Sequence, residues 1–149
     1  MTKRFKYQEY LDKYKNCPMQ DCAEQDLIAY RWVHQPITED DFRPILADPN
    51  QANKIIDGDD RMCTGYALSL FKDANAAITE YRKTYERFDR PSKRTRFKEG
   101  KGTFSAKISI TKNDGVSDMP KSNGHFHFFE YDVDSNLVDT VSEILDNFV

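Results

Sequence analysis

Between Gly65 and Phe88 the apolar residues change period, and that change constrains the fold more than any other feature. Over residues 65–71 they alternate, with Tyr66, Leu68 and Leu70 set against Ala67, Ser69 and Phe71. Apolar side chains on both faces read as a buried strand. Past Asp73 the spacing becomes helical, at Ala74, Ala77, Ile78, Tyr81, Tyr85 and Phe88, which gives a helix one apolar stripe. Asp73 stands where a helix N-cap is needed. A buried strand that runs straight into an amphipathic helix calls for a sheet covered by helices.

The remaining segments extend this pattern. Residues 27–33 combine apolar, aromatic and β-branched side chains and read as a strand. Residues 103–111 alternate cleanly, with Phe104, Ala106, Ile108 and Ile110 inward and Ser105, Lys107 and Ser109 outward. Residues 125–133 form a further strand, expected to pair with the preceding one. Helices are expected over residues 5–14, ending at Cys17-Pro18, and after the N-cap Thr38, within a limit set by Pro44. A last helix would carry the stripe Leu137, Val138, Val141, Ile144, Leu145 and Phe148, capped by Asp134 or Ser135. Residues 48–51, 57–60 and 113–115 read as turns or breaks, and 91–101 and 117–124 as loops. The expected order is α-β-α-β-α-β-β-α. It describes one α+β domain over residues 1–149, a small, mostly antiparallel sheet packed by amphipathic helices.

Composition excludes several alternatives. At 149 residues the chain has the length of one domain, and ten Phe, eight Tyr and one Trp argue against disorder. No apolar run approaches the roughly 20 residues of a membrane span. The first residues are basic, but no apolar segment follows them, so no secretory signal is expected. Cys17, Cys22 and Cys63 are too few and too irregular for a disulfide framework or a zinc finger. Reduced thiols and a cytoplasmic location are therefore expected, with a Cys17–Cys22 bridge as the alternative for an exported protein.

Charge is unevenly distributed around a net value of −3. Nine Lys and Arg fall between Arg82 and Lys101, whereas no Lys or Arg follows Lys121 and acidic residues accumulate there. The acidic residues Glu39, Asp40 and Asp41 form another patch. Basic and acidic faces could neutralise each other within the fold, or the basic segment, with Lys93, Arg94 and Arg96, could meet an anionic ligand or partner. A pI near 5.6 disfavours nucleic acid. The leading expectation is a small interaction or regulatory domain that binds a protein partner through this polarised surface.

Three constellations could carry chemistry instead. Met62-Cys-Thr-Gly-Tyr66, with His125 downstream, resembles the Cys-Ser-Gly stretch of NlpC/P60-type cysteine peptidases, which implies Cys63 as nucleophile and His125 as base. Residues 63 onward, however, alternate as a strand, so a free structural cysteine is the plainer reading. His125 and His127 are two apart on a strand, so both face one way, together with Tyr131. They could bind a ligand, or a metal given further donors such as His34. Finally, Arg31 on one strand, Ser69 on a strand before a helix and Glu130 on a late strand resemble the order found in Arg-Ser-Glu ADP-ribosyltransferases. That resemblance implies an NAD-using enzyme, with Arg31 on the phosphates, Ser69 supporting the nicotinamide pocket and Glu130 facing the oxocarbenium-like centre. One Ser stands where that family has Ser-Thr-Ser, and Glu130-x-Asp132 stands for Glu-x-Glu. No dinucleotide, phosphate-loop, nucleophile-elbow or zincin motif is present, so the sequence names no cofactor.

Overall fold

A computed structural model describes residues 3–48, 58–134 and 136–147. It shows an α+β fold built on a six-stranded antiparallel sheet in the order β4-β5-β2-β1-β3-β6. The strands are β1 (Leu27–Val33), β2 (Leu68–Phe71), β3 (Phe104–Ile110), β4 (Gly115–Ser117), β5 (His125–Glu130) and β6 (Glu143–Asp146). The helices are α1 (Gln8–Leu11), α2 (Asp59–Thr64), α3 (Ala74–Arg87) and α4 (Pro91–Lys101). No helix among the described residues is long and apolar enough to cross a membrane.

The change of period at Asp73 marks the centre of the fold. β2 lies between β5 and β1, with Leu68 and Leu70 in one core and Phe71 against Trp32 on the other side, which accounts for apolar residues on both of its faces. The Asp73 carboxylate accepts from the Ala76 amide at 2.7 Å and starts α3. One sheet face packs Ala29, Leu68, Leu70, Ile108, Phe126 and Phe128 beneath a strap formed by residues 36–48, which contributes Phe42. The other face is helical. There Trp32 stacks on Phe71, meets Tyr81 and Phe97 edge-on, and donates its indole N–H to Ala77 O at 2.9 Å.

Several expectations change. The helix expected over residues 5–14 is the single turn α1; Phe5 instead bridges to Tyr131. The Thr38 cap is present, with Asp41 closing the capping box, but it opens only a 3-10 turn, Glu39–Phe42. The basic segment is a helix rather than a loop. Pro91 occupies its first turn, and Gly102 ends it at φ +78°, where a Cβ would lie 2.0 Å from Val33 O. The C-terminal stripe forms a 3-10 turn, Leu137–Thr140, and then β6. β6 completes the outer side of β3, whose inner side is taken by β1. β5 therefore pairs with β2 and β4, not with β3. Ser105, expected outside, is buried and bonds Asn147 Oδ1 at 2.7 Å. Most of the turn expected at 48–51, and Ser135 and Phe148 of the expected last helix, lie outside the described residues.

The cysteines correct a further expectation. Cys63 lies in α2, not in a strand, and is bridged to Cys17, while Cys22 is free. These three cysteines pack in one cluster with Leu11, Ala67 and Phe129.

Candidate functional site

A cleft of about 800 Å³ is bounded by the sheet, the end of α4 and the strap, which lines much of it. Ser69, Phe71, Trp32 and His125 line it from the sheet, and Gly100 and Lys101 from α4. Strand register sets this arrangement. Ser69 pairs with His127 and Phe71 with His125, and directly opposed residues share a face. The same register puts Glu130, in step with Phe126 and Phe128, on the strap face.

His127 is firmly held. Its Nδ1 lies 2.8 Å from Asp118 Oδ2, and its amide donates to Asp118 Oδ1 at 2.6 Å. Both side chains are nearly buried, 13% and 11% exposed. The His125 ring meets that of His127 edge-on at 4.8 Å. Burial pulls the His125 pKa down to about 4, helped by His127 and Lys121 and opposed by Asp118, so this imidazole is neutral at neutral pH.

Arg31 touches the cleft, but its guanidinium is engaged by backbone. It donates to Asp41 O at 2.5 Å, Ser69 O at 3.0 Å and Arg43 O at 3.2 Å. It thereby ties the strap to β2 where β1 and β2 pair only at Tyr30–Phe71. Burial lowers its pKa to about 10 against the opposing pull of Glu130 and Asp41. Glu130 lines a separate pocket of about 170 Å³ with Lys6, Tyr7, Arg43 and Asn136. Ser69 and His125 thus share the cleft, while Arg31, in step with Ala29 and Val33, lies on the strap face with Glu130, close enough for their charges to act on each other.

The other sequence candidates are dispersed. Cys63 has no thiol to offer, because it is bridged to Cys17. Tyr131 is buried against Phe5 and donates to Glu24 at 2.8 Å. His34 bonds Asp41 and the Glu99 carbonyl. Among the described residues no group of three His, Cys, Asp or Glu side chains could hold a metal ion. Asp118 was not suggested by the sequence; only the approach of the β4–β5 loop to His127 reveals it.

Lys93, Arg94 and Arg96 lie on α4. Arg94 is turned inward, over the Tyr85 ring and onto Phe88 O at 2.9 Å. Lys93 and Arg96 are exposed, in line with Arg90 at a spacing of three residues, which puts them on one side of the helix. Lys93 has only a loose contact with Asp89, at 3.7 Å. Among the described residues no ion pair or side-chain hydrogen bond engages the guanidinium groups of Arg90 and Arg96. No protein-family model, curated protein or solved structure matches the chain.

Proposed function

We propose that the protein is a binding module whose α4 docks an acidic segment of a protein partner. The exposed row Arg90, Lys93 and Arg96 carries this reading, because the fold leaves those charges largely unneutralised. Clustered exposed charge of one sign speeds encounter with a complementary surface and selects for it. The net charge of −3 favours a short acidic peptide over nucleic acid, since the rest of the surface repels an extended polyanion. The Cys17–Cys63 bridge favours an oxidising compartment over the cytoplasmic location expected from the cysteine count.

The test is fluorescence anisotropy with a labelled oligoglutamate peptide, alongside oligolysine and a short DNA duplex. Binding of oligoglutamate alone, weakened tenfold or more by Arg90→Glu/Lys93→Glu/Arg96→Glu and by added salt, supports the reading. Preference for DNA, or oligoglutamate affinity unchanged in the triple variant, overturns it.

A further inference from the structure

We infer a catalytic site at the margin of the cleft, in which Asp118, His127 and Ser69 hydrolyse small carboxylic esters through an acyl group carried on Ser69, the one of the three that lines it. The three residues come from three adjacent stretches of the sheet and follow one another across it. Asp118 just beyond β4 holds His127 on β5, and His127 is the Cα partner of Ser69 on β2. Opposed residues of neighbouring antiparallel strands have Cβ atoms about 4.5–5.5 Å apart on the same face. Ser69 is exposed in the cleft while the His–Asp pair beside it is nearly buried. The order is that of carboxylate, imidazole and hydroxyl in acyl-transfer sites, which are defined by geometry and roles rather than by sequence position.

Each neighbour has a part in this chemistry. Asp118 Oδ2, held in place because Oδ1 accepts from the His127 amide, faces ring Nδ1, so Nδ1 carries its proton toward the carboxylate and Nε2 remains as the base. His125 lines the same cleft in ring contact with His127, and its neutral imidazole can donate a hydrogen bond without adding a second positive charge. Trp32, stacked on Phe71, supplies an apolar wall for the acyl or alcohol part. At about 800 Å³ the cleft has the size of a small-molecule site.

In the first half-reaction Ser69 Oγ forms a bond to the ester carbonyl carbon as its proton passes to His127 Nε2. Collapse of the tetrahedral adduct breaks the carbon–oxygen bond to the alcohol, which leaves with that proton. Water then attacks the acyl-serine with its proton going to His127. The acid departs as Ser69 takes that proton back.

The test treats the full chain, with its bridge intact, with a fluorophosphonate probe and locates the adduct by peptide mass spectrometry. Labelling of Ser69 is expected, abolished in Ser69→Ala and slowed 100-fold or more in His127→Gln, the scale of general-base catalysis. Ser69 is exposed, so its alanine variant keeps the fold, which circular dichroism verifies. Asp118 acts through His127, so Asp118→Ala is expected to slow labelling and Asp118→Glu to restore part of it. Absence of an adduct on folded wild-type protein, or Ser69 labelling indifferent to His127→Gln, overturns the inference. Arg90, Lys93 and Arg96 take no part in this assay, so its outcome is independent of peptide binding.

Discussion

The Asp41 carboxylate grips His34 twice with a single oxygen, accepting from the backbone amide at 2.9 Å and from ring Nδ1 at 2.6 Å. Its other oxygen accepts from the Thr38 amide at 3.1 Å, and the far side of the ring meets Glu99 O at 2.6 Å. One imidazole therefore joins the end of β1, the start of the strap and the last turn of α4.

This junction makes the strap sensitive to pH. Burial alone pulls the His34 pKa down, but hydrogen bonds with Asp41 and Glu99 and the Asp41 charge outweigh it, so the net shift is upward from 6.5. A raised folded-state pKa gives stability that is complete below 6.5 and lost as pH rises through the folded value. Hydrogen-exchange protection of the 38–43 amides should fall across that window in the wild type and show no such step in His34→Asn. Equal profiles for the two proteins would refute the role of the ring.

Glu130 should act with the same slope for the opposite chemical reason. Its Oε2 meets Lys6 Nζ at 3.3 Å, whereas its Oε1 is buried without a partner. Burial raises its pKa above 4.5 despite Lys6 and Arg31 nearby. From pH 4.5 up to its folded value the native state keeps a proton that the unfolded chain has released, so stability declines as pH rises through that interval. Urea titrations should show this decline in the wild type and a flatter profile in Glu130→Gln; parallel profiles would contradict it.

Tyr81 is fully buried in the helical layer and donates its hydroxyl to the carbonyl of Gly102, at the exit of α4. Tyr81→Phe leaves that buried carbonyl unpaired, at a cost of about 1–3 kcal/mol in unfolding free energy. Chemical denaturation would measure it, and a variant as stable as wild type would mean that water replaces the hydroxyl.

Cys17 and Cys63, 46 residues apart, close a loop that contains β1 and the strap. Replacing both by Ser should lower stability by about 2–4 kcal/mol, in keeping with a bridge of this loop length. Burial, reinforced by Asp118 and Asp21, pushes the free Cys22 thiol up to about 12. At pH 7 it should therefore react with iodoacetamide far more slowly than a free cysteine peptide. Rapid alkylation of the folded protein would rule this out.

The parts of the fold legible in the sequence are those where a single period runs through the whole element. β2, α3 and its Asp73 cap, and the inward Ala106, Ile108 and Ile110 of β3 all belong to this class. α4 was missed because Phe97 is its sole buried residue, so no stripe repeats along it; Pro91 and Gly102 were the available signals. The last segment was misread because Leu137, Val138 and Val141 satisfy helical spacing while packing on the strap-side core as a 3-10 turn and its continuation. Ser69 and His127 were visible one at a time. Their opposition depends on how β2 and β5 align, and Asp118 comes from a loop with no pattern of its own.

The two margins of the sheet differ. β4 is bordered by Ala23, whose amide and carbonyl both bond Ser117 at 2.9 Å, whereas among the described residues β6 has a strand partner only in β3, and its Glu143 and Asp146 are exposed. A second copy laid along β6 would bring carboxylates against carboxylates, which opposes edge-to-edge growth at neutral pH. Replacing those carboxylates by apolar side chains would remove that opposition, so edge-to-edge association is the hazard to expect of such a variant.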